Sequence, residues 1–438
     1  MLGGFASKWL RTVVDRNRRR EPVGIYAVCS ANPRVIEAAM HQALEDETVL
    51  CIESTCNQVN QFGGYTGMTP SQFASYVGSI AGRVAFPEER VLLGSDHLGP
   101  YPWRDEPSKT ALDKACVLLR ESVLAGYNKI HLDASMACAD DARNRPLDDE
   151  VIAQRAAELC QVAEKTWAEM PAGSPAPLYI IGTEVPTPGG EQGPGLAPAV
   201  TRAEDAQTTL DNFRKAFSKR GLGPAWERVI GLVVQPGVEF GDVSVFEYDR
   251  EKAQSLSKCL PASPALVYEA HSTDYQPPAA LREMVEDHFA ILKVGPWLTF
   301  AFREAVFALA WMEQEWLGKQ RGVTLSHVPE TLDQAMLGNP VHWREYYRGE
   351  DWEMHFARRY SYSDRSRYYW PEPAVQRELE LLLANLSVSA LPLTLLSQYL
   401  PEQYDAVRAG SIPNTPSSFI QDHIRKVVRI YSAACGNR

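Results

Sequence analysis

Eight short apolar runs rich in β-branched residues recur through the first three quarters of the 438-residue chain. Each run is followed by a polar break and then by a segment whose apolar residues repeat with a helical period. Strands that alternate with helices pair in parallel through right-handed crossovers, so eight such units predict an α/β fold, a (β/α)8 TIM barrel. An open doubly wound sheet is disfavoured because no G-x-G-x-x-G follows the first run. The runs are Val23–Cys29, Val49–Ser54, Arg90–Ser95, Lys129–Asp133, Leu178–Thr183, Val229–Val234, Ala265–Ala270 and Ile291–Val294.

The alternation stops near Arg321, which predicts two domains: the barrel over residues 1–320 and a helical extension over residues 321–438 packed on it. The extension begins with residues 340–373, which are dense in Trp, Tyr, Arg and Glu and show no clear period. Helices are predicted at Pro33–Leu44, Pro70–Ile80, Lys109–Ala125, Asp148–Glu169, Ala203–Arg220, Pro278–His288, Leu298–Trp316, Val375–Leu386, Leu391–Leu400 and Ser417–Ala434.

Composition excludes several classes of protein. The formal net charge of −11 repels a phosphate backbone, so nucleic acid is not expected as a partner. No run of about 18 uncharged apolar residues is present, which argues against a membrane span. The eight cysteines form no C-x-x-C pair. We expect them to be reduced thiols of a cytoplasmic protein, since no export signal is recognised.

Polar and ionisable residues lie at the C-terminal ends of seven of the eight predicted strands. In a TIM barrel these ends carry the active site. Side chains alternate between the two faces of a strand, so one parity points into the barrel. Buried charges are costly unless they are paired or bound to a metal, so the pattern predicts a functional site. The residues of that parity are Glu53, Ser95, His97, His131, Asp133, Glu184, Gln235, Glu269, His271 and Lys293.

Imidazoles and carboxylates from neighbouring strands predict a divalent metal site, with zinc as the expected ion. The predicted ligands are His97, His131, Glu184 and His271. Asp96, Asp133 and Glu184 are the predicted catalytic carboxylates, and Asp96 acts either as a general acid/base or by orienting a ligand. Lys293 is either a Schiff-base nucleophile or, as is commoner, the partner of a phosphate or a carboxylate.

The segment Asn57–Gly67 is rich in amides and glycine, which suits hydrogen bonding to a polyol or a phosphate. It is not a P-loop, because G-x-x-x-x-G-K-[ST] is absent throughout, and this argues against an ordinary ATP-dependent kinase. Lys293, or backbone amides near Ser272 and Gly295, are expected to hold a phosphate. The residues predicted to bind substrate are Glu53, Asn57, Gln58, Gln235, Ser272, Asp274 and Lys293.

Long segments across the chain carry a resemblance to a known family. They are ESTCNQVNQFGGYTGMTP (53–70), LLGSDHLGPYPW (92–103), KIHLDASMACADD (129–141), YIIGTEVPTPGGEQ (179–192), VYEAHSTDYQ (267–276), LKVGPWLTFAFREAVFAL (292–309) and GNPVHWREYY (338–347). In these segments the chain resembles the GatZ/KbaZ family, which is linked to D-tagatose-1,6-bisphosphate aldolase. The resemblance implies a class II aldolase-like TIM barrel. It also implies one of several roles, because some members are non-catalytic subunits of a separate aldolase chain and others are D-tagatose 6-phosphate 4-epimerases. Older naming makes the family a tagatose-6-phosphate kinase.

From the resemblance we predict a sugar-phosphate substrate and the interconversion of D-tagatose 6-phosphate and D-fructose 6-phosphate by metal-assisted retro-aldol and aldol steps. Two alternatives stay open. One is a non-catalytic accessory subunit of class II D-tagatose-1,6-bisphosphate aldolase, whose partner is the aldolase catalytic subunit. The other is a C4-epimerase of a free ketose or sugar acid. The intact polar strand ends favour a working site, and a homo-oligomer is expected.

Overall fold

In the computed structural model, which describes residues 4–142, 146–183, 198–260 and 265–437, eight parallel strands close into a barrel. Strands that are consecutive in the barrel order are hydrogen-bonded, and the first strand pairs with the last, with Ile25 opposite Ile291. The predicted (β/α)8 barrel is therefore confirmed. The strands are β1 (Ile25–Val28), β2 (Leu50–Thr55), β3 (Val91–Leu98), β4 (Lys129–Leu132), β5 (Leu178–Ile181), β6 (Val229–Val233), β7 (Val267–Ala270) and β8 (Ile291–Val294).

The helices are α1 (Gly4–Arg18), α2 (Pro33–Glu45), α3 (Pro70–Arg83), α4 (Ser108–Leu124), α5 (Asp149–Ala168), α6 (Ala203–Lys219), α7 (Gly223–Trp226), α8 (Arg250–Ser257), α9 (Pro278–Glu286), α10 (Pro296–Leu317), α11 (Val328–Gly338), α12 (Asp351–Tyr360), α13 (Pro373–Leu386), α14 (Leu393–Tyr399), α15 (Pro401–Arg408) and α16 (Pro416–Ala434). Capping residues determine where several of them begin. Asn32 accepts a hydrogen bond from the N–H of Arg34 at the start of α2, and Thr69 and Gln72 form a capping box at α3. None of the described helices is long and apolar enough to cross a membrane.

The barrel interior is apolar near the N-terminal ends of the strands. Helix α1 covers this end, because Ala6, Leu10 and Val14 recur every four residues on one face and pack on the apolar layer. That layer includes Ile25, Ala27, Cys51, Leu92, Leu178, Ile180, Val267 and Ile291. With this end filled, the polar side chains inside the barrel, among them Lys129, Glu53 and Glu269, lie above the apolar layer.

The extension packs on the barrel and reaches its C-terminal rim. Helix α16 lies against α2, α9 and α10. The segment before the turn Arg365–Tyr368 docks on the loop after β6 and on α10: the hydroxyl of Ser361 donates to Asp242 at 2.7 Å, and that of Thr299 donates to Asp364 at 2.5 Å. The division at residue 320 stays a prediction, but these contacts bring the extension to the rim where a barrel carries its active site.

Candidate active site

Lysines and carboxylates form a buried ionic network where the barrel interior turns polar. Lys129 Nζ lies 2.5 Å from Glu53 Oε1 and 2.6 Å from Glu269 Oε2, and none of the three side chains is exposed. Lys293 Nζ contacts Glu53 and lies 2.9 Å from Asp96 Oδ1. Each lysine therefore has at least two carboxylate partners, which offsets the cost of burying its charge.

Three imidazole rings meet beside this network. The ring centroids are 5.3 Å apart for His97 and His131, 5.0 Å for His97 and His271, and 5.3 Å for His131 and His271. Carboxylates that hold imidazoles are typical of metal sites, where they set ring orientation and tautomer. Here the pairs are His97 Nδ1 with Asp133 Oδ2 at 2.8 Å, His131 Nδ1 with Asp96 Oδ1 at 3.2 Å, and His271 Nε2 with Glu269 Oε1 at 3.0 Å.

Asp96 and His97 both reach the interior although they are neighbours on β3. The pairing register of β3 with β4 shifts between Ser95 and Leu98, and His97 has a φ of 50°, a left-handed conformation that is uncommon outside glycine. The alternation of β3 places Asp96 inward, and the left-handed backbone turns His97 inward as well. The prediction that Ser95 points into the barrel is therefore wrong. That prediction placed Ser95 and His97 on the same face of the strand, and the irregular register between Ser95 and Leu98 breaks this alternation.

The cluster favours ionised carboxylates. Burial raises the pKa of Glu269, but Lys129 outweighs this effect and lowers that pKa to about 2. Burial also opposes ionisation of Asp96, whose pKa is nevertheless held well below its ordinary value by the neighbouring imidazoles. Burial lowers the pKa of His97, yet Asp96 and Asp133 outweigh it and raise that pKa to about 9. The carboxylates of the site are thus ionised at neutral pH.

The donor atoms fit a divalent ion. Asp96, His131, Glu269 and His271 offer ligand atoms that all lie within 4.8 Å of one another. Nε2 of His131 is buried and has no hydrogen-bond partner in the part of the chain that the structure describes, which is rare for a buried polar atom and leaves this nitrogen available to bind an ion. Nitrogen and carboxylate donors of this kind suit zinc or a similar metal.

A cavity opens over the imidazoles at the C-terminal ends of the strands. The loop after β2 lines it with Gln58 and Tyr65, and the extension lines it with Arg367 and Tyr368. The rings of Tyr65 and Tyr368 meet edge to face, with centroids 4.7 Å apart. The extension therefore forms one wall of the site. The predicted residues that line this cavity are Asn57, Gln58, Asp96, His97, His271, Ser272, Asp274 and Lys293.

The other predicted residues lie elsewhere. Glu53, Asp133 and His131 are buried outside the cavity lining, where Glu53 contacts both lysines and Asp133 contacts His97. Gln235 does not line the cavity; its Oε1 accepts the N–H groups of Gly237 and Val238 on its own loop at 2.7 and 3.0 Å, and substrate binding by Gln235 stays a prediction. Glu184, a predicted ligand and catalytic residue, lies outside the described residues.

Several residues of the site escaped the sequence analysis. Lys129 begins β4, so a pattern of polar residues at strand ends does not include it, although it shares the inward parity of His131. Glu269 has the predicted parity but was not proposed as a site residue. Arg367 and Tyr368 come from the extension, where only the density of arginine and aromatic residues marks the segment.

Known proteins resemble this chain over nearly its whole length. It matches the family described as D-tagatose-1,6-bisphosphate aldolase subunit GatZ/KbaZ-like over residues 10–436. Proteins named D-tagatose-1,6-bisphosphate aldolase subunit GatZ from Klebsiella pneumoniae subsp. pneumoniae and Salmonella enteritidis are each 48% identical to it, covering 98% and 97% of this chain and 99% of each relative. The crystal structure of a probable tagatose 6 phosphate kinase from Sinorhizobium meliloti 1021 superposes with a TM-score of 0.85 at 44% identity, covering 94% of this chain and 100% of that chain.

Proposed function

This chain belongs to the D-tagatose-1,6-bisphosphate aldolase subunit GatZ/KbaZ-like family, and from that premise we propose that it is a metal-dependent D-tagatose 6-phosphate 4-epimerase. The observation that supports this proposal most is the cluster of three imidazoles, each held by a carboxylate, beside an open cavity. Buried ionisable groups with shifted pKa values are typical of working sites. A protein that served only as a scaffold would have no use for them.

The substrate's own chemistry selects the route. D-tagatose 6-phosphate and D-fructose 6-phosphate differ in configuration at C4, which is β to the C2 carbonyl, so the ketone does not acidify the C4–H bond. Cleavage of the C3–C4 bond is easier, because the electron pair left on C3 delocalises into the carbonyl as an enediolate. The hydroxyl on C4 loses its proton and becomes an aldehyde. This aldehyde then turns and is attacked on its other face, which restores the bond and inverts C4.

The residues of the cluster divide this work. His131, Glu269 and His271 would hold a divalent ion, which when bound supplies Lewis-acid stabilisation of charge on the substrate's carbonyl oxygen. Asp96 lines the cavity, and the neighbouring imidazoles hold its pKa well below its ordinary value, so its carboxylate is ionised. Asp96 is therefore the base that accepts the proton of the C4 hydroxyl.

A second candidate function is that of an accessory subunit, and the names of the relatives favour it. The two relatives at 48% identity are both called aldolase subunits. Under this alternative the chain binds and supports a separate aldolase chain and has no turnover of its own. The cluster of His97, His131 and His271 would then be structural.

Assay of the purified chain alone with D-tagatose 6-phosphate separates these functions. The proposal predicts D-fructose 6-phosphate without ATP, and loss of that product in His271→Ala. Absence of turnover, together with stimulation of a separate aldolase chain, would establish the accessory subunit instead. ATP-dependent formation of a bisphosphate would overturn the proposal in favour of a kinase, the activity in the name of the solved relative. His423→Ala is the matched control, because His423 lies on α16 and pairs with Glu304 away from the cavity.

A further inference from the structure

Besides His97, whose charge Asp96 and Asp133 balance, the cavity meets three sources of positive charge, and the first of these is also balanced. Lys293 Nζ contacts Glu53 and lies 2.9 Å from Asp96 and 3.9 Å from Glu269. An anion that approached Lys293 would face these three carboxylates. The expectation that this lysine holds a phosphate therefore does not agree with its surroundings.

The second source is the N-terminus of α10, whose first residues line the cavity. A helix N-terminus binds anions through its free N–H groups. Here Asp274 occupies them, since its Oδ1 accepts the N–H of Gly295 at 3.0 Å and that of Trp297 at 2.8 Å. The chain's own carboxylate thus takes the place where the amides near Gly295 were expected to hold a phosphate.

The third source is Arg367 of the extension. Its Nη1 donates to the backbone oxygens of Ser363 and Asp364, and its Nη2 donates to the hydroxyl of Tyr368 at 2.9 Å. All three acceptors are neutral. Among the described residues, no carboxylate oxygen lies within 4.0 Å of this guanidinium. Arg367 therefore brings a fixed and unbalanced positive charge to the wall of the cavity.

The surroundings of Arg367 are arranged for an anion. Burial raises the pKa of Tyr368, but Arg367 and Arg365 outweigh it and lower that pKa below its ordinary value, which shows a positive field at this wall. Tyr65 and Gln58 line the same cavity and add polar groups to it. Guanidinium groups suit phosphate because their planar fork offers parallel N–H donors.

We propose that Arg367 binds the phosphate of the substrate, so that the extension, and not the barrel, selects a phosphorylated sugar. This inference rests on the proposed function for the identity of the sugar. The reacting carbons then lie at the imidazoles and the phosphate lies at Arg367. An aldehyde fragment that carries the phosphate is retained while it turns.

Steady-state kinetics with D-tagatose 6-phosphate and with free D-tagatose test this role. Arg367→Gln is expected to raise KM for the phosphorylated sugar by about 10- to 100-fold, the effect of losing a hydrogen bond to a charged group, and to raise KM for the free sugar much less. Arg367→Lys keeps the charge and is expected to give an intermediate KM. An equal loss on both sugars would show a structural role and overturn the proposal, as would an unchanged KM. A preference of the wild type for a sugar acid over the phosphate would also overturn it.

Calorimetric binding of D-tagatose 6-phosphate keeps the inference testable if the chain proves inactive. Binding by the wild type that weakens about 10-fold or more in Arg367→Gln would support the site even though the epimerase proposal had failed. Equal binding by both proteins, or no binding by either, would overturn the site. Arg408→Gln is the control, since Arg408 also donates to a tyrosine hydroxyl, that of Tyr404 at 2.8 Å, but on α15. Near-ultraviolet circular dichroism checks that each variant is folded.

Discussion

Replacing His131 by alanine removes the buried imidazole nitrogen that has no hydrogen-bond partner among the described residues. We expect His131→Ala to lose the bound ion, because one of the two imidazole donors of the predicted site is gone. Metal analysis of protein purified without chelator measures this, with about one ion per chain expected in the wild type and almost none in the variant. Full ion content in His131→Ala would show that the imidazoles do not form a metal site.

The buried ionic network predicts an unusually large effect on stability. Glu53→Gln leaves Lys129 and Lys293 short of a negative partner inside the barrel, and breaking a buried pair in this way costs about 3 to 5 kcal/mol of unfolding free energy. Urea denaturation measures the loss. The control is Asp113→Asn, which breaks an exposed pair with Lys109 and should change nothing measurable. Equal stability of the two variants would contradict the importance of the network.

The residues of the site differ in whether their position can be predicted from the sequence. His131 and Lys293 follow from strand position and parity, because a regular strand alternates its faces. The inward position of both Asp96 and His97 does not follow, since it needs the left-handed backbone of His97. Arg367 reaches the cavity only through tertiary packing, which no local pattern records.

At the scale of elements, the carboxylate of Asp274 accepts hydrogen bonds at the start of α10, and burial opposes its ionisation. Burial raises the pKa of Asp274 to about 6, although the N–H groups of Gly295 and Trp297 stabilise its charge. In the unfolded chain the ordinary value is about 3.9, so the unfolded state releases this proton first and stability falls as pH rises from about 4 to about 6. Asp274→Asn keeps an oxygen for both hydrogen bonds and removes the titration.

We therefore expect the advantage of Asp274→Asn over the wild type in unfolding free energy to grow by about 1 kcal/mol between pH 5 and pH 8. Urea denaturation at several pH values measures this trend. Asp249 also caps a helix, α8, but Lys252 lowers its pKa, so Asp249→Asn should show no trend in the same range. If the difference in unfolding free energy between Asp274→Asn and the wild type does not change with pH, burial does not raise the pKa of Asp274.

The strands and helices of the barrel could be predicted because each type of element has a recognisable sequence pattern. Buried strands are short runs of branched apolar residues, and the helices that cover them are amphipathic. The small antiparallel pair Glu239–Phe240 and Val245–Phe246 was missed. Strands of two residues are too short to show a period, and they form only because the loop after β6 folds back on itself. The position of the turn Arg365–Tyr368 likewise depends on contacts between residues far apart in the sequence, such as that of Ser361 with Asp242.

At the scale of the whole molecule, topology explains why the chemistry is concentrated at one rim. Parallel strands bring all their C-terminal ends to the same side, and α1 fills the other end with Ala6, Leu10 and Val14. The alternation in the sequence was sufficient to predict this arrangement. That the extension completes the site could not be predicted, because it depends on where residues 361–368 dock.

The central claim is that the chain inverts C4 by breaking and remaking the C3–C4 bond, and an isotope on C4 tests it most directly. D-tagatose 6-phosphate with deuterium on C4 is incubated with the purified chain in ordinary water, and the D-fructose 6-phosphate formed is analysed by mass spectrometry. Carbon–carbon cleavage never breaks the C4–H bond, so the product should keep its deuterium in full. Loss of deuterium to the solvent would contradict the claim and show that C4 is deprotonated instead.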